Sequence, residues 1–119
     1  MLKTDYRLKK RKDFAYIYRR GRSFAARNVA INYLKVKSDE LLIGFSASKK
    51  VGNAVIRNNV KRLMRECVRH NLDNIPNGYR LIFNARVKSA NASYTEISKD
   101  INYLIGKLNN VDVDNKKIS

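Results

Sequence analysis

Residues 54–70, AVIRNNVKRLMRECVRH, carry two incompatible surfaces within one helical period. Taking about 100° per residue with Arg57 as origin, Lys61, Arg65, Arg69 and Arg62 fall between about 40° and 140°, with Asn58 at about 100°. Leu63, Ile56, Cys67, Val60 and Met64 occupy about 240° to 340°. A segment of this kind must lay one side on an apolar support and leave a cationic ridge outside. Asn53 is placed to cap it. Glu66 is the one acid in the segment. Unpaired cations that close together form a poor solvated face and a good phosphate-binding one.

The rest of the chain carries the same bias. It has 119 residues, 26 Lys and Arg against 10 Asp and Glu, and a formal charge of +16. Residues 1–37 hold 12 basic and 2 acidic side chains, whereas residues 73–119 hold 7 and 5. Like charges at that density oppose compaction until a polyanion neutralises them. Membrane-surface binding would need a basic amphipathic helix with a bulky apolar face free to insert, so nucleic acid is the better reading. One cysteine excludes an internal disulfide framework or a cysteine-rich zinc module. A single histidine, His70, is a poor basis for His-dependent catalysis or metal hydrolysis. No apolar run approaches the roughly 20 residues that span a bilayer. Met1 to Asp5 open no signal-peptide core, so a cytoplasmic protein is expected.

The length suits one domain, 1–119. Residues 1–12 read as a basic arm, mobile until bound. Residues 13–20 read as a short helix stopped by Gly21. A brief extended segment at 22–26 precedes a strand at 27–36, with Val29, Ile31 and Tyr33 on one face. After a turn at 37–40, residues 41–48 form a strand expected to pair antiparallel with it. Asn74, Pro76 and Gly78 break the chain, and 79–85 is a further strand. Ser93 and Glu96 have capping-box spacing. They open a helix whose Ile97, Ile101, Leu104, Ile105 and Leu108 form one stripe. From 109 onward the polar chain is expected to fray. The fold class is α+β: an α-β-β-β-α-β-α sandwich, a small and mostly antiparallel sheet with packed helices.

The stretch from Ser48 to Arg65 resembles the signature of the bacterial ribonuclease P protein subunit. That pattern is a lysine pair, Gly, Ala-Val, then Arg-Asn-x-x-Lys-Arg-x-x-Arg. It is matched at Lys49, Lys50, Gly52, Ala54, Val55, Arg57, Asn58, Lys61, Arg62 and Arg65. The resemblance extends from about Tyr6 to Leu108. One position departs: Asn59 stands where the family has arginine, at about 200° on the wheel and off the ridge.

The resemblance implies an RNA-binding cofactor of a ribozyme, whose RNA subunit uses Mg²⁺ to cleave the 5′ leader from precursor tRNA. It implies ribonuclease P RNA and precursor tRNA as partners; no protein-held metal site, membrane or small-molecule substrate is expected. It places the leader against Phe14 and Tyr18, four residues apart on one helix face, bordered by Lys49, Lys50, Arg57 and Asn58. The family's third aromatic aligns with Asn32. Tyr33 beside it can replace it only through a bulge or a one-residue slip, because neighbouring strand residues face opposite ways. Lys61, Arg62, Arg65 and Arg69 are assigned to the catalytic RNA. The resemblance also implies a left-handed crossover between parallel strands around the motif helix, against the usual rule. Two other readings stay open at this stage: a structural RNA-binding protein such as a ribosomal component, and a protein-only nuclease. Cys67 reads as a small core residue and His70 as an incidental surface one.

Overall fold

The computed structural model describes residues 6–118, so readings placed on residues 1–5 and 119 lie outside it. Among the described residues the chain forms three α-helices and four strands. They are α1 (Arg11–Arg20), β1 (Arg22–Ala25), β2 (Val29–Lys35), β3 (Leu41–Ala47), α2 (Ala54–His70), β4 (Tyr79–Ala85) and α3 (Tyr94–Ile118). The sheet order is β1-β2-β4-β3. β2 runs antiparallel to β1 and β4, and β3 runs parallel to β4.

This order corrects one expectation: β2 and β3 are not paired, because β4 lies between them. The physical reason is the contiguous run Leu81, Ile82 and Phe83, each 0% exposed. A strand apolar on successive residues needs cover on both faces, and the centre of a sheet supplies it. The connection at 36–40 therefore passes over the start of β4 instead of closing a hairpin. Val36 N–H donates to the Gly78 carbonyl at 2.9 Å. Arg80 pins the same connection through the Glu40 carboxylate at 2.8 Å and its carbonyl at 3.1 Å. Gly78 has φ +85°, and a Cβ there would sit 3.2 Å from the Ser38 carbonyl oxygen.

Strand alternation divides the core. Val29, Ile31, Leu41, Ile43, Tyr79, Leu81 and Phe83 face α2 and α3. Ile82 faces the other way and packs with Ile17 of α1 and with Leu8. Both long helices start as their sequences require. Asn53 Oδ1 accepts from Ile56 N–H at 3.0 Å. Ser93 and Glu96 close a reciprocal capping box at 3.0 and 3.2 Å. Ile97, Ile101, Leu104, Ile105 and Leu108 are all buried, as their spacing predicts.

Two terminal expectations are corrected. The described part of the arm is docked: Leu8 N–H donates to the Ile43 carbonyl at 2.9 Å, Arg7 forms a parallel bridge to Ile43, and Leu8 is buried. An apolar residue inside the basic run covers the otherwise free edge of β3. The C-terminal residues do not fray from 109. α3 continues to Ile118, because Val111 extends the apolar stripe onto the core and buried Asp112 accepts from Tyr79 Oη–H at 3.2 Å. Among the described residues no helix is long and apolar enough to cross a membrane.

The two glycines with opposite surroundings test this packing. Gly78→Ala should destabilise the protein by about 1–2 kcal/mol, from left-handed backbone strain. Gly106→Ala, in α3 with open space around it, should stabilise by about 0.5–1 kcal/mol. Urea denaturation of both variants reads the contrast, and equal signs would contradict it.

Candidate nucleic-acid interface

The motif helix presents its cations at two depths. Val60, Met64, Cys67 and Val68 are buried. Val68 falls at about 20° on the wheel, so the buried arc reaches toward the cationic side. Leu63 and Ile56 are consequently only half-buried. Arg57, Lys61 and Arg65 are half-buried at the base of the ridge, while Asn58, Arg62 and Arg69 are exposed. Lys49 and Lys50 are exposed in the single turn Lys49–Val51 that precedes the helix.

The electrostatics of the ridge are uneven. Arg69 is paired with Glu66 at 3.0 Å, and its N–H holds the Glu66 carboxyl below the usual range. The Glu66–Arg69 pair is therefore lost at a lower pH than an ordinary carboxylate would set. Arg62 donates to Asn59 Oδ1 at 2.8 Å. Asn59, the position that departs from the motif, thus orients a ridge arginine from outside the ridge. Arg65 lies over the Phe45 ring at 5.7 Å, and Phe45 stacks on Phe83 at 5.9 Å. Burial, with Arg7 nearby, pulls the Arg65 pKa below its ordinary value. The Nε atoms of Arg57 and Arg65 are buried without hydrogen-bond partners. A desolvated guanidinium facing another cation is a site that an anion relieves.

On the opposite sheet face, α1 crosses the strands. The Phe14 ring lies on Gly44, where a Cβ would overlap Phe14 Cζ. Tyr18 is 44% exposed and donates to Asn84 Oδ1 at 2.5 Å. Asn84 in turn donates to Asn32 Oδ1 at 2.8 Å. Beyond Phe14 and Tyr18 the sheet shows Ala30, Asn32, Ser46 and Asn84, all half-buried and not covered by a helix side chain of the apolar core. This is a shallow polar floor with two aromatic rings at its side. Phe14 and Arg65 meet β3 from opposite faces, at Gly44 and Phe45, so the aromatic site and the ridge flank one edge strand.

Tyr33 does not belong to this floor. It is 8% exposed, stacks on Phe24 at 5.2 Å and meets Tyr79 edge-on at 6.5 Å. β2 is paired residue by residue with β4 over its whole length. With no bulge, Tyr33 shares the inward face with Val29 and Ile31, and its assignment as a leader contact is corrected. Asn32 occupies the outward position, and Asn84 and Ser46 join it. The period-2 alternation of the strands is the signal that identifies all three. Arg7, missed from sequence, is brought to Arg65 by the docking of residues 6–8.

Among the described residues, no three of His, Cys, Asp and Glu come close enough to hold a metal ion. Cys67 is buried in the core, and that burial raises its thiol pKa.

Comparison with known proteins gives consistent matches. The family model described as Ribonuclease P matches residues 2–109. The ribonuclease P protein component of Clostridioides difficile (strain 630) is 46% identical over 99 residues, covering 82% of this chain and 87% of that protein. That of Alkaliphilus oremlandii is 40% identical, covering 91% and 95%. Among solved structures, the Staphylococcus aureus RNase P protein superposes with TM-score 0.77 at 33% identity, covering 85% of this chain and 93% of that one. The Thermotoga maritima RNase P protein gives 0.75 at 28% identity, covering 83% and 94%.

The Glu66–Arg69 pair provides a test of the ridge. Glu66→Gln should tighten binding to a single-stranded RNA at low salt, and should steepen the dependence of log K on log salt by up to about 0.7. Fluorescence anisotropy across a salt series reads both, and an unchanged slope would remove Arg69 from the interface.

Proposed function

Because the chain belongs to the ribonuclease P protein family, and so to tRNA processing, we propose that it serves its ribonucleoprotein through two separate RNA surfaces. The ridge of α2, with Lys61, Arg62, Arg65 and Arg69, docks on the catalytic RNA. The floor beside α1 holds the single-stranded 5′ leader of precursor tRNA, with Phe14 and Tyr18 at its side and Lys49, Lys50, Arg57 and Asn58 along the neighbouring border. Asn32, Ser46 and Asn84 replace Tyr33 in this assignment.

The observation that carries the reading is the floor: half-buried amide groups on the outward sheet face, edged by the ring of Tyr18 on α1, which remains 44% exposed. Single-stranded RNA binds through bases stacked on aromatic rings in an electropositive setting. The Asn84 and Asn32 amides offer donors and acceptors to base edges that a stacked strand would present. Half-buried Phe14 supplies apolar contact at the α1 border. The ridge instead presents guanidinium groups on a rigid helix, which suits the phosphates of a folded RNA.

The chemistry in this reading belongs to the RNA, with Mg²⁺ as the ion it uses. The protein contributes binding and positioning: it raises the local concentration of leader beside the cleavage site and neutralises phosphate repulsion.

Separate readouts test the division. Phe14→Ala should lower affinity for leader-bearing precursor tRNA by about 1–3 kcal/mol per lost stack, with binding to the catalytic RNA unchanged. Arg62→Ala should weaken assembly with the catalytic RNA and reduce its salt slope by about one, with the preference for leader over mature tRNA retained. If both variants lose both properties equally, the surfaces are not separate. Purified protein should restore precursor-tRNA cleavage to the RNA subunit at low Mg²⁺; no stimulation would remove the functional reading itself.

A further inference from the structure

At the sheet end where β4 begins, five elements enclose a half-open cavity of about 430 Å³. Arg20 ends α1, Arg22 opens β1 and Lys35 ends β2, and all three are exposed on its rim. Tyr79 lines it from the core, and Val111 and Asn115 of α3 form the remaining wall. None of the three cations makes an ion pair among the described residues. Lys35 Nζ lies 5.0 Å from the centre of the Tyr79 ring, which holds that ammonium over the cavity side of the core.

The carboxylate beside this wall does not discharge the rim. Asp112 is 6% exposed, accepts from Tyr79 at 3.2 Å through Oδ1, and pairs with Lys116 at 3.2 Å through Oδ2. Both of its oxygens are thus engaged, one by Tyr79 and one by Lys116. Its bond to Tyr79 fastens the last turns of α3 against the sheet and so keeps the wall in place.

The cavity lies at the far end of the sheet from the motif turn, and Tyr33 turns to it from the inward face of β2 while its neighbour Asn32 faces the floor. Lys35 pairs with Tyr79 at one end of the sheet, and Ala47 pairs with Ala85 at the end from which the motif turn departs. At about 3.3 Å per residue the two ends of β4 stand about 20 Å apart. The wall residues Val111 and Asn115 also lie beyond residues 2–109 that match the family model.

We propose that this cavity is a second anion site that takes a phosphate group, supplied by a free nucleotide or by an RNA backbone. Arg20, Arg22 and Lys35 line one opening from three different elements, and guanidinium and ammonium groups are the donors that phosphate oxygens recognise. The volume lies within the roughly 300–1,000 Å³ of small-molecule sites, so the sugar attached to the phosphate also finds room. The site is independent of the leader reading and stands or falls on its own measurement.

Gly21 lines the cavity, so its amide resonance reports on it. The experiment titrates the isotope-labelled full chain with ADP and, separately, with a short single-stranded RNA lacking terminal phosphates. The Gly21 shift should saturate with at least one probe. In the double variant R22Q/K35Q its half-saturation concentration should rise about tenfold or more, the loss of two charge-assisted contacts. The charge-matched variant K88Q/K99Q, altered at exposed lysines elsewhere, should keep the native value. The Ile56 and Glu96 amides, fixed by their caps, report that each variant is folded. Saturation by ADP identifies a free nucleotide as sufficient, and saturation by RNA alone identifies the backbone as the source. Failure to saturate with either probe would overturn the proposal. So would an equal weakening in R22Q/K35Q and K88Q/K99Q, which would mark only diffuse attraction to a cationic surface.

Discussion

β4 must be covered on both faces, and the rest of the molecule is arranged around that requirement. Leu81 and Phe83 point to one side and Ile82 to the other, all at 0% exposure. Neither two flanking strands nor a single layer of helices would suffice. The sheet therefore takes the order β1-β2-β4-β3, with α2 and α3 over one face and α1 with Leu8 over the other. The basic segments are carried by elements on opposite sides of the sheet, so one positive chain acquires several separated surfaces. A smaller fold with all helices on one side would have merged them.

Charge without counter-charge is the second organising fact. The chain carries a net +16, and few of its cations are paired among the described residues. Arg69 with Glu66, Arg80 with Glu40 and Lys116 with Asp112 are ion pairs among the described residues, each with at least one exposed partner. Exposed pairs of this kind add little stability, and the arginines at the base of the ridge have none of them. Arg65 is partly desolvated beside Arg7, and two guanidinium Nε atoms are buried unsatisfied. The free protein holds an electrostatic cost that a polyanion removes. The same ridge that opposes folding favours binding, and the apolar core of α2 and α3 offsets the difference.

Local features were legible in the sequence and pairing was not. Asn53, Ser93 and Glu96 marked helix starts because caps act within one turn. Alternation at Val29, Ile31 and Tyr33 located the inward face of β2, and the same rule removes Tyr33 from the outward floor. The neighbour of β3 was missed because a five-residue connection fits a hairpin as well as a crossing over the start of β4. Only the two-sided burial of Leu81 to Phe83 decides between them. The end of α3 was missed because its residues are polar by type, although Leu104, Leu108 and Val111 continue one helical stripe. The ridge was found on the wheel, but its depth was not: Val68 draws the buried arc toward Arg57 and Lys61. Arg7 entered the site through a contact with β3 that no local pattern announces.

The central claim is that α1 with its sheet floor, and the ridge of α2, meet different RNAs at the same time. Site-specific photocrosslinking in the assembled ribonucleoprotein with precursor tRNA tests this most directly, using one probe at position 18 and another at position 62. Crosslinks from position 18 to the 5′ leader, and from position 62 to the catalytic RNA, are the predicted result. Crosslinks from both positions to the same RNA would contradict it.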